Sequence, residues 1–356
     1  MADRYIDFSV YNAYQDKVTQ TEKENQRYGL IECLKHNSPK NKVLASPALK
    51  AHLQTVQGQT TQYTGLKEDV ITTTSVESFT IPEHLSVSEQ KTLTSVSIFS
   101  GFRVYPGYFV NNTIEMETYL ANKYDEVFSA MAAAKETQIA TALSTYKTQV
   151  LDGEAQINHG DGAFAFDGAL DTLTCDLAAQ KDVLFSNLKT IMRINKKVGN
   201  YNMVVNEGGF NLAINEILKF GAVNAENRQF ALNQLPMFFE TLGIAPSSFQ
   251  FVAYLLRDGA IGSVQNYPFD FRTGTVVDSK VWGITPTPAP YIGEKLNVFH
   301  NREATDASAL GETTGELRMT SYEEWGFLDK FFLVTNYNSD LTTRVNDIVK
   351  TTGATT

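Results

Sequence analysis

The sequence predicts an α+β fold from three observations: a threonine-rich stretch alternating polar and apolar residues over 54–82, a helical apolar period over 113–151, and strand-like apolar runs over 249–256 and 317–335. A chain of 356 residues, 42% hydrophobic and 11% aromatic, exceeds the usual size of one core and has the apolar content to bury more than one. Two packed domains, or one domain with a large insertion, are expected. No internal repeat of fixed period is evident.

Residues 1–50 are polar and charge-mixed, interrupted by Ser38-Pro39 and Ser46-Pro47. Apolar residues at Tyr11, Tyr14, Val18, Tyr28, Ile31 and Leu34 form a broken amphipathic pattern, which fits short helices in an extended arm. In the next segment Thr55, Thr60, Thr61, Thr64, Thr72, Thr73, Thr74 and Thr80 are interleaved with Val56, Tyr63, Val70, Val76, Phe79 and Ile81, around a middle at Gly65-Leu66-Lys67. β-branched residues favour strands, so this is a long polar β-hairpin. A two-stranded ribbon without a core of its own is marginal in water, so it must lie on a neighbouring surface, of its own chain or of another copy.

Val96 to Val110 is apolar and broken by Gly101 and Pro106-Gly107, which predicts a buried strand pair, or a strand and a turn. A helix follows, with Asn112-Thr113 as caps and Glu115 and Glu117 in the first turns, where the helix dipole favours acid. Leu120, Tyr124, Val127, Phe128, Met131, Ile139, Leu143, Tyr146 and Val150 keep the helical period, and Gly153 closes the run. At about 1.5 Å per residue such a helix runs roughly 55 Å. Residues 153–168 are loop-like. A second amphipathic helix over 183–198, a strand at Met203-Val204-Val205-Asn206 and a helix from Phe210 to Phe220 form an α/β layer. Phe249 to Leu256 is a buried strand or the core of a short helix. Residues 257–290 are rich in Gly and Pro, and the run Thr285-Pro286-Thr287-Pro288-Ala289-Pro290 is expected as an extended surface loop. Leu317 to Thr335, with Trp325, Phe327, Phe331, Phe332, Leu333 and Val334, returns to the core as a strand.

The formal net charge is −10, with no Lys/Arg block at either end, so binding to nucleic acid by counterion release has no footprint. Cys33 and Cys175 lack CxxC spacing and are expected to be reduced and buried. The N-terminus shows no signal peptide, and no span approaches 18 consecutive apolar residues, so a soluble cytoplasmic protein with no membrane partner is expected.

The five histidines never take paired metal spacing, and the chain has no GxxxxGK[ST], GxGxxG or GxSxG element. Asn158-His159-Gly160-Asp161-Gly162 lacks the alternating acids and terminal Glu of a calcium loop and is an ordinary turn. Glu323-Glu324 are adjacent on a strand and point to opposite faces, which makes them a solvated edge and not an acid/base pair. Gly208-Gly209, ahead of the Phe210 helix, is read as a simple helix-entry turn rather than an anion site. No catalytic, cofactor-binding or metal-binding residues are assigned, and the chain is read as a structural protein and not an enzyme.

The order of parts is a polar arm, a long polar hairpin, a strand, a very long helix, an inserted α/β region and a final returning strand. It resembles the major capsid proteins of tailed double-stranded DNA phages, the Hong Kong 97-type coat fold. The segment Leu184 to Phe220, two helices flanking Tyr201-Asn202-Met203-Val204-Val205-Asn206, is similar to the axial-domain layer of those coats. The resemblance implies an N-terminal arm (1–50), an extended loop (51–90), a peripheral domain (91–180 and 311–356) with spine helix 113–151, and an axial domain (181–310). It implies hexamers and pentamers closing into an icosahedral virion shell around packaged double-stranded DNA, assembled in the host cytoplasm. Separate scaffold and portal proteins and decoration proteins are the partners it implies. The acidic balance suits a container filled by a motor. Assembly contacts are expected at Tyr63, Leu66, Lys67 and Val70 in the hairpin and at Tyr11 and Tyr14 in the arm. Lys67 lies where one relative forms a crosslink, but no partner asparagine is identified. An encapsulin-type compartment is the alternative in the same fold. An α+β hydrolase or transferase with a site at Asp270, Arg272 and Asp278 is the alternative outside it.

Overall fold

The computed structural model describes residues 28–66, 88–106, 109, 115–147, 164–180, 184–194, 199–221, 237–244, 251–267, 275–277, 280–306, 320–335 and 348–354. The expected contacts Tyr11, Tyr14, Lys67 and Val70, the turn 158–162, and Asp270, Arg272 and Asp278 lie outside these residues.

A seven-stranded sheet and a six-stranded sheet share one long helix, giving the expected α+β architecture. The seven-stranded sheet contains β1 (Thr60–Leu66), β2 (Ser88–Val104), β8 (Ile261–Gln265), β9 (Thr275–Val277), β10 (Lys280–Ala289), β11 (Glu294–Asp306) and β12 (Thr320–Thr335), ordered β1-β2-β12-β11-β10-β9 with β8 on β12. The six-stranded sheet contains β3 (Phe164–Asp167), β4 (Thr172–Asp176), β5 (Tyr201–Val205), β6 (Met237–Glu240), β7 (Phe251–Arg257) and β13 (Ile348–Ala354), ordered β3-β4-β13-β7-β5-β6.

Helix α3 (Met116–Tyr146), 31 residues long, packs Leu120, Tyr124, Phe128, Met131, Ile139 and Leu143 into the main core. Tyr124 and Phe128 meet Phe327 edge-on at ring separations of 5.1 and 5.4 Å, the geometry favoured by the ring quadrupoles. Phe102 of β2 lies edge-on to Tyr124 at 6.1 Å and closes the cluster from the next strand. The six-stranded sheet is buried on both faces. Val204, Val252, Tyr254 and Ile348 face the main core, while Met203, Val205, Ala253, Leu255 and Val349 face a second core under α4 (Leu184–Ile194) and α5 (Glu207–Gly221). That arrangement explains why Phe251–Leu256 is an unbroken apolar run and settles it as a strand.

Several local expectations are corrected. Residues 28–55 are not an extended arm. Helix α1 (Gly29–Asn37) buries Leu30, Ile31, Cys33 and Leu34 in the main core, and α2 (Pro47–Thr55) buries Leu53 beside Val264, Phe332 and Val334. A nine-residue helix carries too few apolar positions for its pattern to be distinguished from that of a surface segment. Among the described residues β1 pairs with β2, from Thr60↔Thr94 to Leu66↔Ser88, while the return strand expected over 70–81 lies outside them. β2 is one continuous strand of 17 residues, which turns after Val104.

The proline run is a strand, not a loop. β10 pairs with β11 through Pro286↔Asn297 and Pro288↔Lys295. On its other side β9 reaches only Lys280, Val281 and Trp282, so among the described residues no strand lies beyond the prolines. Pro286 and Pro288 share one strand parity, so their missing N–H groups fall on that outer edge and interrupt no ladder. β10 and β11 belong with β12 in the seven-stranded sheet, although 181–310 was expected as one inserted unit, and β13 lies in the six-stranded sheet between β4 and β7.

Candidate functional site

The half of β2 nearest the C-terminus, Ser95 to Val104, pairs with β12, while the half from Ser88 to Thr94 extends past β12 and pairs with β1. The result is a two-stranded ribbon of seven residue pairs, roughly 24 Å long at about 3.4 Å per residue. Direct pairing places Thr60 opposite Thr94, Gln62 opposite Thr92 and Thr64 opposite Gln90, and all six are exposed. Gln90 donates to Gln62 at 2.8 Å across the strands. This face is polar, uncharged and uncovered. It continues the same face of β2 that carries Val96, Ile98 and Phe102 onto the main core.

The opposite face of the ribbon lies on the chain itself. Thr61 and Tyr63 are buried, Thr61 is hydrogen-bonded to His52 of α2 at 2.9 Å, and Leu93 packs on the cluster of Leu53, Phe332 and Val334. Burial raises the Tyr63 hydroxyl pKa above its ordinary value. Tyr63, expected as an assembly contact, is therefore covered within its own subunit. Leu66 ends β1 opposite Ser88.

Lys330 fixes the ribbon's base. Its Nζ donates to the Gly58 and Gln57 carbonyls at 3.0 and 3.4 Å, and burial lowers its pKa. Asn266 Nδ2 donates to the carbonyls of Leu53 and Val56 at 2.6 and 2.9 Å. Further back, Asn41 Nδ2 donates to the carbonyls of Gly259 and Val334 at 3.0 and 3.1 Å, while its Oδ1 accepts from Val43 and Leu44. Each of these amides stands in for a strand or helix partner that a loop lacks. None was found by sequence reasoning. The available signal was Asp329-Lys330, two charges inside an otherwise apolar strand.

Those charges face opposite ways. Asp329 is fully buried, with Lys135 Nζ of α3 at 3.2 Å from Oδ2 and Gln265 Nε2 donating to Oδ1 at 2.6 Å. Lys135 also lies 3.6 Å from Glu294 and 4.3 Å above the Phe331 ring. Glu323 and Glu324 diverge as expected, but they are not a solvated edge: Glu324 accepts from Arg103 at 3.1 Å, and Glu323 lies 3.2 Å from His300, which stacks on Trp325 at 3.7 Å. Gly208 and Gly209 sit in the first turn of α5. There Asn206 Oδ1 accepts the Gly209 amide at 3.0 Å, so the helix entry is capped from within the chain.

Two glutamates hold helix starts from a distance. Glu136 of α3 accepts the Ile31 amide of α1 at 2.8 Å and the Thr241 hydroxyl. Its pKa is pushed up to about 7, chiefly by burial, against the lowering effect of those hydrogen bonds. Glu216 of α5 accepts the Phe185 and Ser186 amides of α4 at 2.9 and 3.1 Å. Cys33 and Cys175 are free and buried, and burial raises both thiol pKa values, Cys175 to about 12. Among the described residues no group of three His, Cys, Asp or Glu is placed to hold a metal, and no helix is long and apolar enough to cross a membrane. These polar clusters bind helix ends and strand carbonyls of the chain itself.

No family model and no curated protein matches the chain. Among solved structures it is similar to one from Mycobacterium phage Adephagia (10% identity, TM-score 0.44, covering 96% of this chain and 98% of that one). It is similar to one from Gordonia phage Cozz (11%, TM-score 0.43, covering 96% and 94%). The mature capsid of bacteriophage PhiM1 is similar at 10% identity and TM-score 0.41, covering 85% of this chain and 84% of that one. Likeness at this level assigns no function by itself.

Proposed function

We propose that the chain is a structural coat subunit that works by assembling with many copies of itself into a closed shell, in the manner of the tailed-phage capsid proteins its order of parts resembles. One observation carries this reading. The face of β2 that packs on the core at Val96, Ile98 and Phe102 continues into the ribbon as Thr60, Gln62, Thr64, Gln90, Thr92 and Thr94, exposed and without one charged side chain. Sheet edges and ribbons that must stay monomeric usually carry Lys, Glu or Pro, as β10 does with Pro286 and Pro288. An uncharged threonine and glutamine surface instead suits close contact with another protein surface, at little desolvation cost compared with charge.

In this reading α3 is the spine helix, the seven-stranded sheet belongs to the peripheral unit, and the six-stranded sheet with α4 and α5 belongs to the axial unit. The subunits form hexamers and pentamers of an icosahedral virion shell. The net charge of −10 suits a wall around double-stranded DNA driven in by a motor, with scaffold, portal and decoration functions on other chains. The subunit performs no catalysis in this role. The test is Gln62→Lys together with Thr92→Lys. Each is an exposed position, so the variant folds and remains soluble but yields no shells. Intact shells at wild-type yield would refute the assignment of this face.

A further inference from the structure

A cleft of about 480 Å³ opens between the α1–α2 segment and strand β8, lined by Lys35, Lys50, Gln54, Gln265, Tyr267 and Glu294 among others. That volume is in the range of ligand sites. Its polar groups are unevenly satisfied. Gln265 is 6% exposed, and its amide orientation is fixed because only Nε2 can face the Asp329 carboxylate, to which it donates at 2.6 Å. Gln265 Oε1 is thereby left buried with no hydrogen-bond donor, and Glu294 Oε2, buried as well, faces the Lys135 ammonium at 3.6 Å, beyond hydrogen-bond distance.

Acidic groups gather at the same place. Among the described ion pairs, Asp329 and Glu294 both face the Lys135 ammonium, at 3.2 and 3.6 Å, at the base of the cleft. Burial and then the charges of Glu294 and Asp329 hold the Tyr267 hydroxyl pKa above its ordinary value, as a negative local potential requires. The rim has the opposite sign. Lys35 and Lys50 are exposed, and the Lys35 ammonium lies across the Gly293 turn, where φ is +70° and a Cβ would come within 2.0 Å of Nζ. Orphan acceptors at the base demand a donor, and the lysines at the rim favour an anion.

We propose that this cleft binds a guanidinium or ammonium group with a carboxylate beside it, the cation donating to Gln265 Oε1 and Glu294 Oε2 and the carboxylate lying toward Lys35 and Lys50. A free basic amino acid has this chemistry, and so does an Arg-Asp or Lys-Glu pair on another protein chain. The inference stands independently of the assembly role.

Calorimetric titration of the purified full chain tests it with three probes: L-arginine, agmatine (the same cation without the carboxylate), and acetyl-Arg-Asp-amide. L-arginine is expected to bind saturably, and agmatine about tenfold more weakly for want of the rim contacts. Lys50→Ala is expected to weaken L-arginine about threefold, the size of an exposed charge pair, without moving the melting temperature of the unliganded protein. Glu294→Gln weakens both cations. Tighter binding of acetyl-Arg-Asp-amide than of L-arginine identifies a protein-borne group as the occupant, and the reverse order identifies a free amino acid. Absence of saturable binding by all three probes overturns the proposal. Binding that neither Lys50→Ala nor Glu294→Gln alters overturns it equally.

Discussion

Glu216 accepts the backbone amide of Phe185 at 2.9 Å, so helix α4 starts on a carboxylate supplied from 31 residues further along the chain. The Ser186 amide and hydroxyl, at 3.1 and 2.7 Å, complete the cap, and Glu216 is fully buried. A carboxylate at a helix N-terminus satisfies orphan amides and meets the positive end of the dipole. Glu216→Leu leaves those amides buried and unpaired and is expected to cost about 2–4 kcal/mol. Glu216→Gln, which keeps an acceptor, is expected to cost less. Urea unfolding of the two variants measures the difference.

Glu136 makes the same kind of cap for α1 but has a shifted titration. Its pKa of about 7 in the folded chain stands above the ordinary 4.5, so between those two pH values the folded state keeps a proton that the unfolded chain has released. Its contribution to stability is therefore full below pH 4.5 and declines as pH rises to about 7, by about 3 kcal/mol in all. Glu136→Gln is expected to remove that slope. Denaturant midpoints recorded across the interval for both proteins check it, and parallel profiles would contradict the shift.

Lys135 and Asp329 form a buried pair whose worth lies in being complete. Lys135→Met strands the Asp329 charge in the core and is expected to cost about 3–5 kcal/mol. Adding Asp329→Asn is expected to restore part of that loss. A double-mutant cycle in urea reads the coupling, and strict additivity would show that the pair does not interact.

Lys330→Met removes the donor shared by the Gln57 and Gly58 carbonyls at the base of the ribbon. Amide exchange across 60–66 is expected to quicken, while exchange in α3 stays as in the parent chain. Equal quickening in both would show that the ribbon has no separate anchor.

Long-range contacts separate what the sequence reveals from what it hides. Helix α3 is legible because eight periodic apolar side chains, from Leu120 to Tyr146, lie on one element, a purely local signal. β12 is legible for the same reason, from its dense aromatic run. The pairing of β1 with β2 is not, because 67–81 is as threonine-rich and β-branched as 88–94, and only the register with β2 shows it. Pro286 and Pro288 look like loop residues until β10 is known to have an unpaired outer edge at that point. Helix α1 passes for an arm because its N-terminal cap, Glu136, lies about 105 residues away. Of the residues expected to make assembly contacts, Tyr63 proves to be buried in its own subunit, and the exposed Gln62 and Thr64 beside it carry the polar face.

Electron microscopy of the purified, unmodified chain tests self-assembly most directly. Uniform closed shells, lost on Gln62→Lys with Thr92→Lys while the variant subunit remains folded, are the predicted result. A population of small soluble oligomers, unchanged by those substitutions, would contradict the account.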